Sequence, residues 1–231
     1  MPVSIVFSRI RTLYRVYIAY IAASEHCSLF VDIQPHHLLQ HLVPSLDNIP
    51  AGIQIEFDEH SNKHAFTFTH HASGLGFSTK TIYIHCDFFS EELSLLVSFK
   101  TLPTSTNEET LFAVKSPVDD AMTFGVTLHN GLELIRIRYS DGYSKTTQTA
   151  DFRDEALFDG EWHSVVIVYN RDRIVLLVDC SEQHFSQISR TFPTHVNIAD
   201  HRFYIGNDGR RKRGIFSVSS LRTHLPPPLV P

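Results

Sequence analysis

The chain has 231 residues, 42% of them hydrophobic and 19% charged, with a net charge of −5 when histidine is neutral. That length and balance describe a globular chain, most simply one large domain, and exclude a disordered or fibrous one. An acidic average argues against a general nucleic-acid binder, and seventeen Phe and eight Tyr against one Trp and two Met suit the core of a sandwich.

Residues 1–24 stand apart. Arg9, Arg11 and Arg15 precede a short apolar run at 16–23, and the small residues Ala22 and Ser24 suit cleavage before Glu25, so 1–24 reads as a secretory signal peptide. The run falls short of the roughly 20 apolar residues that cross a bilayer, so stable membrane insertion is not expected. Residues 35–43 form a short amphipathic piece, opened by Pro35 at a first helical turn and stopped by Pro44. From Gly52 onward the pattern becomes that of strands. Residues 53–57, 66–68 and 82–84 alternate with period two, and 93–99, 111–114, 124–128 and 132–139 continue the series. Asn130-Gly131 and Asp141-Gly142 are hairpin dipeptides.

The stretch around which the rest is arranged is 159–169 followed by 174–180. Asp159-Gly160 supplies a sharp turn, 165–169 is a β-branched strand, 170–173 a polar reversal, and 174–178 a second apolar strand ending on Asp179-Cys180. Trp162 enters the first of these strands and is expected in the core with its indole N–H paired. Strands at 203–206 and 215–218 follow, and 225–231 is a Pro-rich tail of polyproline character. About a dozen short strands with almost no helix predict an all-β fold, a two-sheet antiparallel sandwich.

The order Asp159-Gly160-Glu161-Trp162-His163, then a strand pair closing on Val178-Asp179-Cys180, then Phe203-Tyr204-Ile205-Gly206 and Gly214-Ile215-Phe216, resembles the thrombospondin N-terminal-like laminin G domain. With Cys27, Cys86-Asp87-Phe88-Phe89 and the basic run before Gly214, it looks most like the domain that opens thrombospondin-type laminin G domain and EAR repeat proteins. The resemblance covers 25–224. It implies a lectin-like (concanavalin/laminin G) jelly-roll sandwich, secreted or at the cell surface, with a recognition or adhesion role and a link to Notch regulation in epithelial and sensory cells. EAR repeats are not part of this sequence, and neither is the cysteine that such domains usually carry just after the last strand, which pairs with the one matching Cys180. Here that region reads Leu221-Arg222-Thr223-His224.

Three cysteines in a secreted chain leave one unpaired. A Cys27–Cys86 bridge is expected to tie the N-terminal segment to the sheet, with Cys180 free or intermolecular; the alternative is three reduced, buried thiols. The most functional-looking run is Asn207-Asp208-Gly209-Arg210-Arg211-Lys212-Arg213-Gly214, which is expected to set four adjacent cations on a turn in an acidic chain. Such a cluster concentrates positive potential and can grip sulfate groups bidentately through arginine, so sulfated glycosaminoglycan is the expected partner, or else an extracellular protein. The resemblance points the same way, since thrombospondin-like N-terminal domains commonly bind heparan sulfate. A solvated hairpin, or a convertase cleavage site, would use the same residues.

No metal or cofactor is expected. His60, His64, His70, His71 and Asp58 lack the compact spacing of zinc ligands, and Asp119, Asp120, Asp151 and Asp208 read as loop carboxylates without a calcium pattern. For a glycosidase, Glu56 and Asp58 share a strand face, but the next position on it is His60 and Glu59 points away. With no nucleophile motif either, a catalytic residue is not expected. The reading is a non-catalytic recognition module, with a glycan-processing enzyme or a structural cap for a missing repeat array as the alternatives.

Overall fold

Alternation of apolar and polar residues organises the chain into strands, and the computed structural model describes residues 17–20, 36–58, 63–72, 74–84, 87–89, 92–101, 108–141, 147–170, 172–180, 182–189, 196–209 and 220–222. In chain order the strands are β1 (Tyr17–Tyr20), β2 (His36–His37), β3 (Ile53–Asp58), β4 (Lys63–Phe68), β5 (Gly76–Ser78), β6 (Leu93–Lys100), β7 (Glu108–Lys115) and β8 (Met122–His129). They continue with β9 (Leu134–Ser140), β10 (Thr147–Arg153), β11 (Trp162–Tyr169), β12 (Arg173–Val178), β13 (Glu182–Gln187), β14 (Arg202–Ile205) and β15 (Ser220–Arg222). The one α-helix among the described residues is α1 (Leu38–Leu42), where Leu38, Leu39 and Leu42 are buried, as the amphipathic reading of 35–43 requires.

The strands build two antiparallel sheets. The nine-stranded sheet runs β13-β12-β11-β6-β15-β4-β3, with β1 beside β6 and β2 on β1; the six-stranded sheet runs β10-β9-β8-β7-β14-β5. Between them lies a single apolar layer. Every second residue of β11 faces it, His163, Val165, Ile167 and Tyr169, and β6 contributes Leu93, Leu95, Val97 and Phe99. The opposing sheet answers with Phe124, Val126 and Leu128 of β8 and Ile135, Ile137 and Tyr139 of β9. Tyr169 meets Phe124 edge-on across the gap, ring centroids 5.3 Å apart, and Phe89 stacks on Phe124 at 5.8 Å. Each fully buried side chain of this size contributes about 1.5–3 kcal/mol relative to exposure, so this layer is what holds the sheets face to face.

The two outward faces differ. On the nine-stranded sheet, β6, β11 and β12 present half-buried Leu96, Val166, Val168, Val175 and Leu177. Strands apolar on both faces explain why the chain reads as continuous hydrophobic runs there rather than as clean alternation. The outward face of the six-stranded sheet is polar, with Glu108, Thr127, Arg136, Arg138 and Asp151.

Several expectations are corrected. Trp162 belongs to the outward-facing set of β11 and is only half-buried, because the alternation that turns His163 inward turns its neighbour out. Residues 82–84 are not a strand: Ile82 ends a 3-10 turn over Thr79–Thr81, whose N-cap is Ser78. Asn130-Gly131 does not make a two-residue hairpin turn. It opens a 3-10 turn, Asn130–Leu132, and Glu133 takes the left-handed conformation at φ 50°. Residues 215–218, and the Pro-rich tail, lie outside the described residues; the last strand described is β15. β1 falls within the stretch read as a signal peptide.

Candidate functional site at the stem of the basic turn

The basic run Arg210, Arg211, Lys212 and Arg213 lies outside the described residues, but the stem that leads into it does not. β14 ends at Ile205, and the next four residues are locked in place. Gly206 has φ +67° and lies so close to the Phe68 ring that a β-carbon would sit 2.6 Å from Cγ; its N–H donates to the Leu111 carbonyl at 3.0 Å. Only glycine accepts that backbone angle against a packed ring. Asn207 is completely buried; its Nδ2 donates to the carbonyls of Leu75 and Ile205 at 3.0 Å each, while Oδ1 accepts the Gly209 N–H at 2.9 Å. The last bond closes an Asx turn.

A second anchor comes from β7. Lys115 is 1% exposed, and its Nζ donates to the Asp208 carbonyl at 3.0 Å while pairing with the Asp120 carboxylate. Asp120 takes φ 61° in the loop between β7 and β8. Next to it, Asp119 accepts the Ala121 N–H at 3.2 Å, and its carboxyl is held below the usual range by hydrogen bonds from Ser116 and that backbone N–H. Tyr204, which lies over Gly209, has its phenol pushed up by burial, against the pull of Arg202 and with the help of Asp120 and Asp208.

The organising stretch forms a separate polar centre. His163 is 8% exposed; Nδ1 lies 2.8 Å from Asp179 Oδ2 and Nε2 3.0 Å from Asp159 Oδ1. The carboxylates are fixed in turn: Asp179 Oδ1 accepts the Ser164 N–H at 2.7 Å, and Asp159 Oδ1 accepts the Glu161 N–H at 2.7 Å. Burial works against the charged ring, but the hydrogen bonds and charges of Asp159 and Asp179 outweigh it and raise the His163 pKa. Asp159 is lowered, first by its bond to His163. An imidazole held at both nitrogens clamps the turn before β11 to the turn after β12. It has no nitrogen left for a substrate proton.

On the outward face of the six-stranded sheet, Arg136 donates twice to Asp151, Nε to Oδ1 and Nη2 to Oδ2, at 2.7 Å each. Arg138 pairs with Glu108 and reaches the Thr127 hydroxyl at 3.3 Å. Burial raises Glu108, but the bond and charge of Arg138 prevail and lower it; Asp151 is lowered chiefly by its bond to Arg136. His129 is lowered by burial and by both arginines, against Glu108 and Asp151.

The remaining site residues fall as follows. Cys180 is an exposed free thiol in the turn after β12, at φ 61°, while Cys27 and Cys86 lie outside the described residues, as do Glu59 and His60. Of the carboxylates weighed for calcium, Asp120 is ion-paired to Lys115, and Asp151, which lies within β10 rather than in a loop, is ion-paired to Arg136. Among the described residues no group of three or more His, Cys, Asp or Glu is placed to hold a metal ion, and no helix is long and apolar enough to cross a membrane. Sequence reasoning singled out the Asn207-Asp208-Gly209 turn but missed Lys115, whose position at the end of an apolar strand carries no signal of the carbonyl it will meet.

The chain is an antiparallel two-sheet sandwich. A family model of the laminin G domain matches residues 102–220, just over half of the chain, and the chain belongs to that family. It is 28% identical over 188 residues to the thrombospondin-type laminin G domain and EAR repeat-containing protein of Homo sapiens, and 26% identical over 189 residues to that of Mus musculus. Each match covers 80% of this chain but 27% of the human and 28% of the mouse protein, so the chain spans about a quarter of these relatives. Among solved structures, it is similar to domains LG4-5 of the mouse laminin alpha1 chain, with 22% identity over 59% of this chain and 34% of that one and a TM-score of 0.39. The CBM40 of a Ruminococcus gnavus IT-sialidase bound to alpha2,3 sialyllactose aligns over 64% of this chain and 84% of its own, at 15% identity and TM-score 0.48. Laminin G domains are generally non-enzymatic binding modules of extracellular proteins.

Proposed function

We propose that this domain is a secreted, non-catalytic recognition module that binds sulfated glycosaminoglycans through Arg210, Arg211, Lys212 and Arg213. The supporting observation is the stem: Asn207 and Lys115 fix the backbone up to Gly209, so the four cations that follow start from a rigid base. Holding the base rigid lowers the ordering cost of gripping a polyanion. Asp120, the carboxylate nearest Lys115 at that end, is already neutralised by it. The proposal includes cleavage after residue 24, which would take β1 away from the Leu93–Leu96 stretch of β6.

Retention on heparin against rising salt tests the reading. The parent domain is expected to elute above physiological ionic strength, while a variant with all four basic residues changed to Ala falls through, and neither binds a matched unsulfated column. Co-elution of parent and variant at low salt would refute it and direct the search to protein partners, where the resemblance suggests Notch-linked signalling.

A further inference from the structure

Among the described residues the sandwich has four sheet edges formed by strands of three or more residues, and one of them lacks the usual protection. Natural edges are blunted by charge, proline, bulges or brevity, because a bare edge is a template for another strand. β10 carries Asp151 and Arg153, β3 carries Glu56 and Asp58, and β5 has only three residues. β13 is six residues long, Glu-Gln-His-Phe-Ser-Gln, with no lysine, arginine or proline and its one carboxylate at the first position. At its centre Phe185 is 71% exposed, opposite Val175 of β12. His184 faces the other way, its Nε2 3.5 Å from Asp154 of the opposing sheet.

The register shows which backbone groups meet the open side. Ile188 N–H donates to the Asp172 carbonyl at 2.8 Å, in phase with the β12–β13 ladder. In an antiparallel ladder hydrogen-bonded pairs alternate, so Glu182, His184 and Ser186 bond toward β12, while Gln183, Phe185 and Gln187 direct N–H and C=O outward.

We propose that β13 is a self-association edge: two copies of this chain pair antiparallel along it, about a two-fold axis at Phe185, and join their nine-stranded sheets. A two-fold there sets Phe185 against its own counterpart, Gln183 opposite Gln187, His184 opposite Ser186 and Glu182 opposite Ile188. No like charges meet at any position, and all three outward residues of each copy find partners. The phenyl rings, one from each copy, lie side by side on the same face, which is where an exposed aromatic gains most from a cross-strand neighbour. A charged partner has nothing to complement along this strand, whereas a second copy matches it in register and polarity.

Sedimentation equilibrium of the full chain should show a mass rising with concentration from 26.3 kDa toward twice that value. Phe185→Lys places like charges opposite each other and should weaken association about tenfold or more. At concentrations where both proteins are monomeric the thermal midpoint should not move, because the side chain is mostly exposed. In a Cys180→Ser background, Phe185→Cys should cross-link the dimer on mild oxidation, since hydrogen-bonded antiparallel pairs lie about 5.5 Å apart at Cα, within disulfide reach. A mass that stays constant, a dimer unaffected by Phe185→Lys, or a dimer that does not cross-link at position 185 overturns the proposal. So does slow exchange of the Phe185 amide at every concentration, which would mean that another part of the same chain covers the edge.

Discussion

Replacing His163 with glutamine isolates the clamp between the two turns of the organising stretch. Glutamine keeps polar reach but neither the second ring nitrogen nor the charge. Two charge-assisted bonds of the kind His163 makes contribute about 1.5–3 kcal/mol each when shielded. Here Asp159 and Asp179 are 48% and 45% exposed, so water screens them and the pair together is worth about 2 kcal/mol. That is a measurable share of the stability of a domain, which totals about 5–15 kcal/mol.

The pH dependence distinguishes a charged clamp from mere packing. His163 has a raised pKa in the folded state, so the native chain holds its proton at pH values where the unfolded chain has released it. Its contribution is complete below the unfolded value, near ~6.5, and is lost as pH rises through the folded value, with a slope approaching ~1.4 kcal/mol per pH unit between the two. Urea unfolding of both proteins from pH 5.5 to 9 should therefore show a gap that is widest at and below about pH 6.5 and narrows with rising pH. Taking the difference removes His129 and His201, whose lowered pKa values act in the opposite sense. A gap independent of pH, or one that widens toward pH 9, would refute the charged clamp.

Gly206→Ala should destabilise the domain by about 2–4 kcal/mol, the sum of left-handed backbone strain and overpacking against Phe68. Gly74→Ala, at φ +81° with nothing within 4 Å, should cost only the backbone strain, about 1–2 kcal/mol; equal costs in urea unfolding would argue against close packing at Gly206. A double-mutant cycle on Arg136→Ala and Asp151→Ala should give a coupling of about 0.5–1 kcal/mol at low salt. It should shrink as salt is raised and vanish as pH falls through the lowered Asp151 pKa; a coupling insensitive to both would exclude an ion pair as its source.

The strands most legible in the sequence were those whose pattern reports burial directly. β6, β8, β9, β11 and β12 were all placed from apolar runs or alternation, and α1 from Pro35 and Pro44. β10 and β13 were missed, because Thr-Gln-Thr-Ala-Asp-Phe-Arg and Glu-Gln-His-Phe-Ser-Gln are edge strands with little to bury and so carry little hydrophobic signal. Trp162 was misplaced for the opposite reason: its size suggested the core, but the phase of β11 is set by Val165, Ile167 and Tyr169. At the candidate site the Asn207-Asp208-Gly209 turn was legible from local chemistry, whereas the bond from Lys115 to the Asp208 carbonyl joins residues 93 apart and has no local trace.

A net charge of −5 by itself disfavours any polyanion as a partner, but net charge governs only what is felt beyond the screening length, about 8 Å at physiological salt. Within that distance pairing decides. Several carboxylates are paired where they stand: Asp120 with Lys115, Asp151 with Arg136, Glu108 with Arg138, and Asp159 and Asp179 with the His163 ring between them. Carboxylates held this way project little field toward a neighbouring ligand. In the sequence, four consecutive cations begin directly after Gly209, whatever the sum over the chain. Charge reversal at distant exposed acids should accordingly leave heparin retention almost unchanged at physiological salt, whereas Asp120→Lys, next to the stem, should raise it. If retention instead tracked total charge regardless of position, binding would be a property of the whole surface and the basic turn would lose its special role.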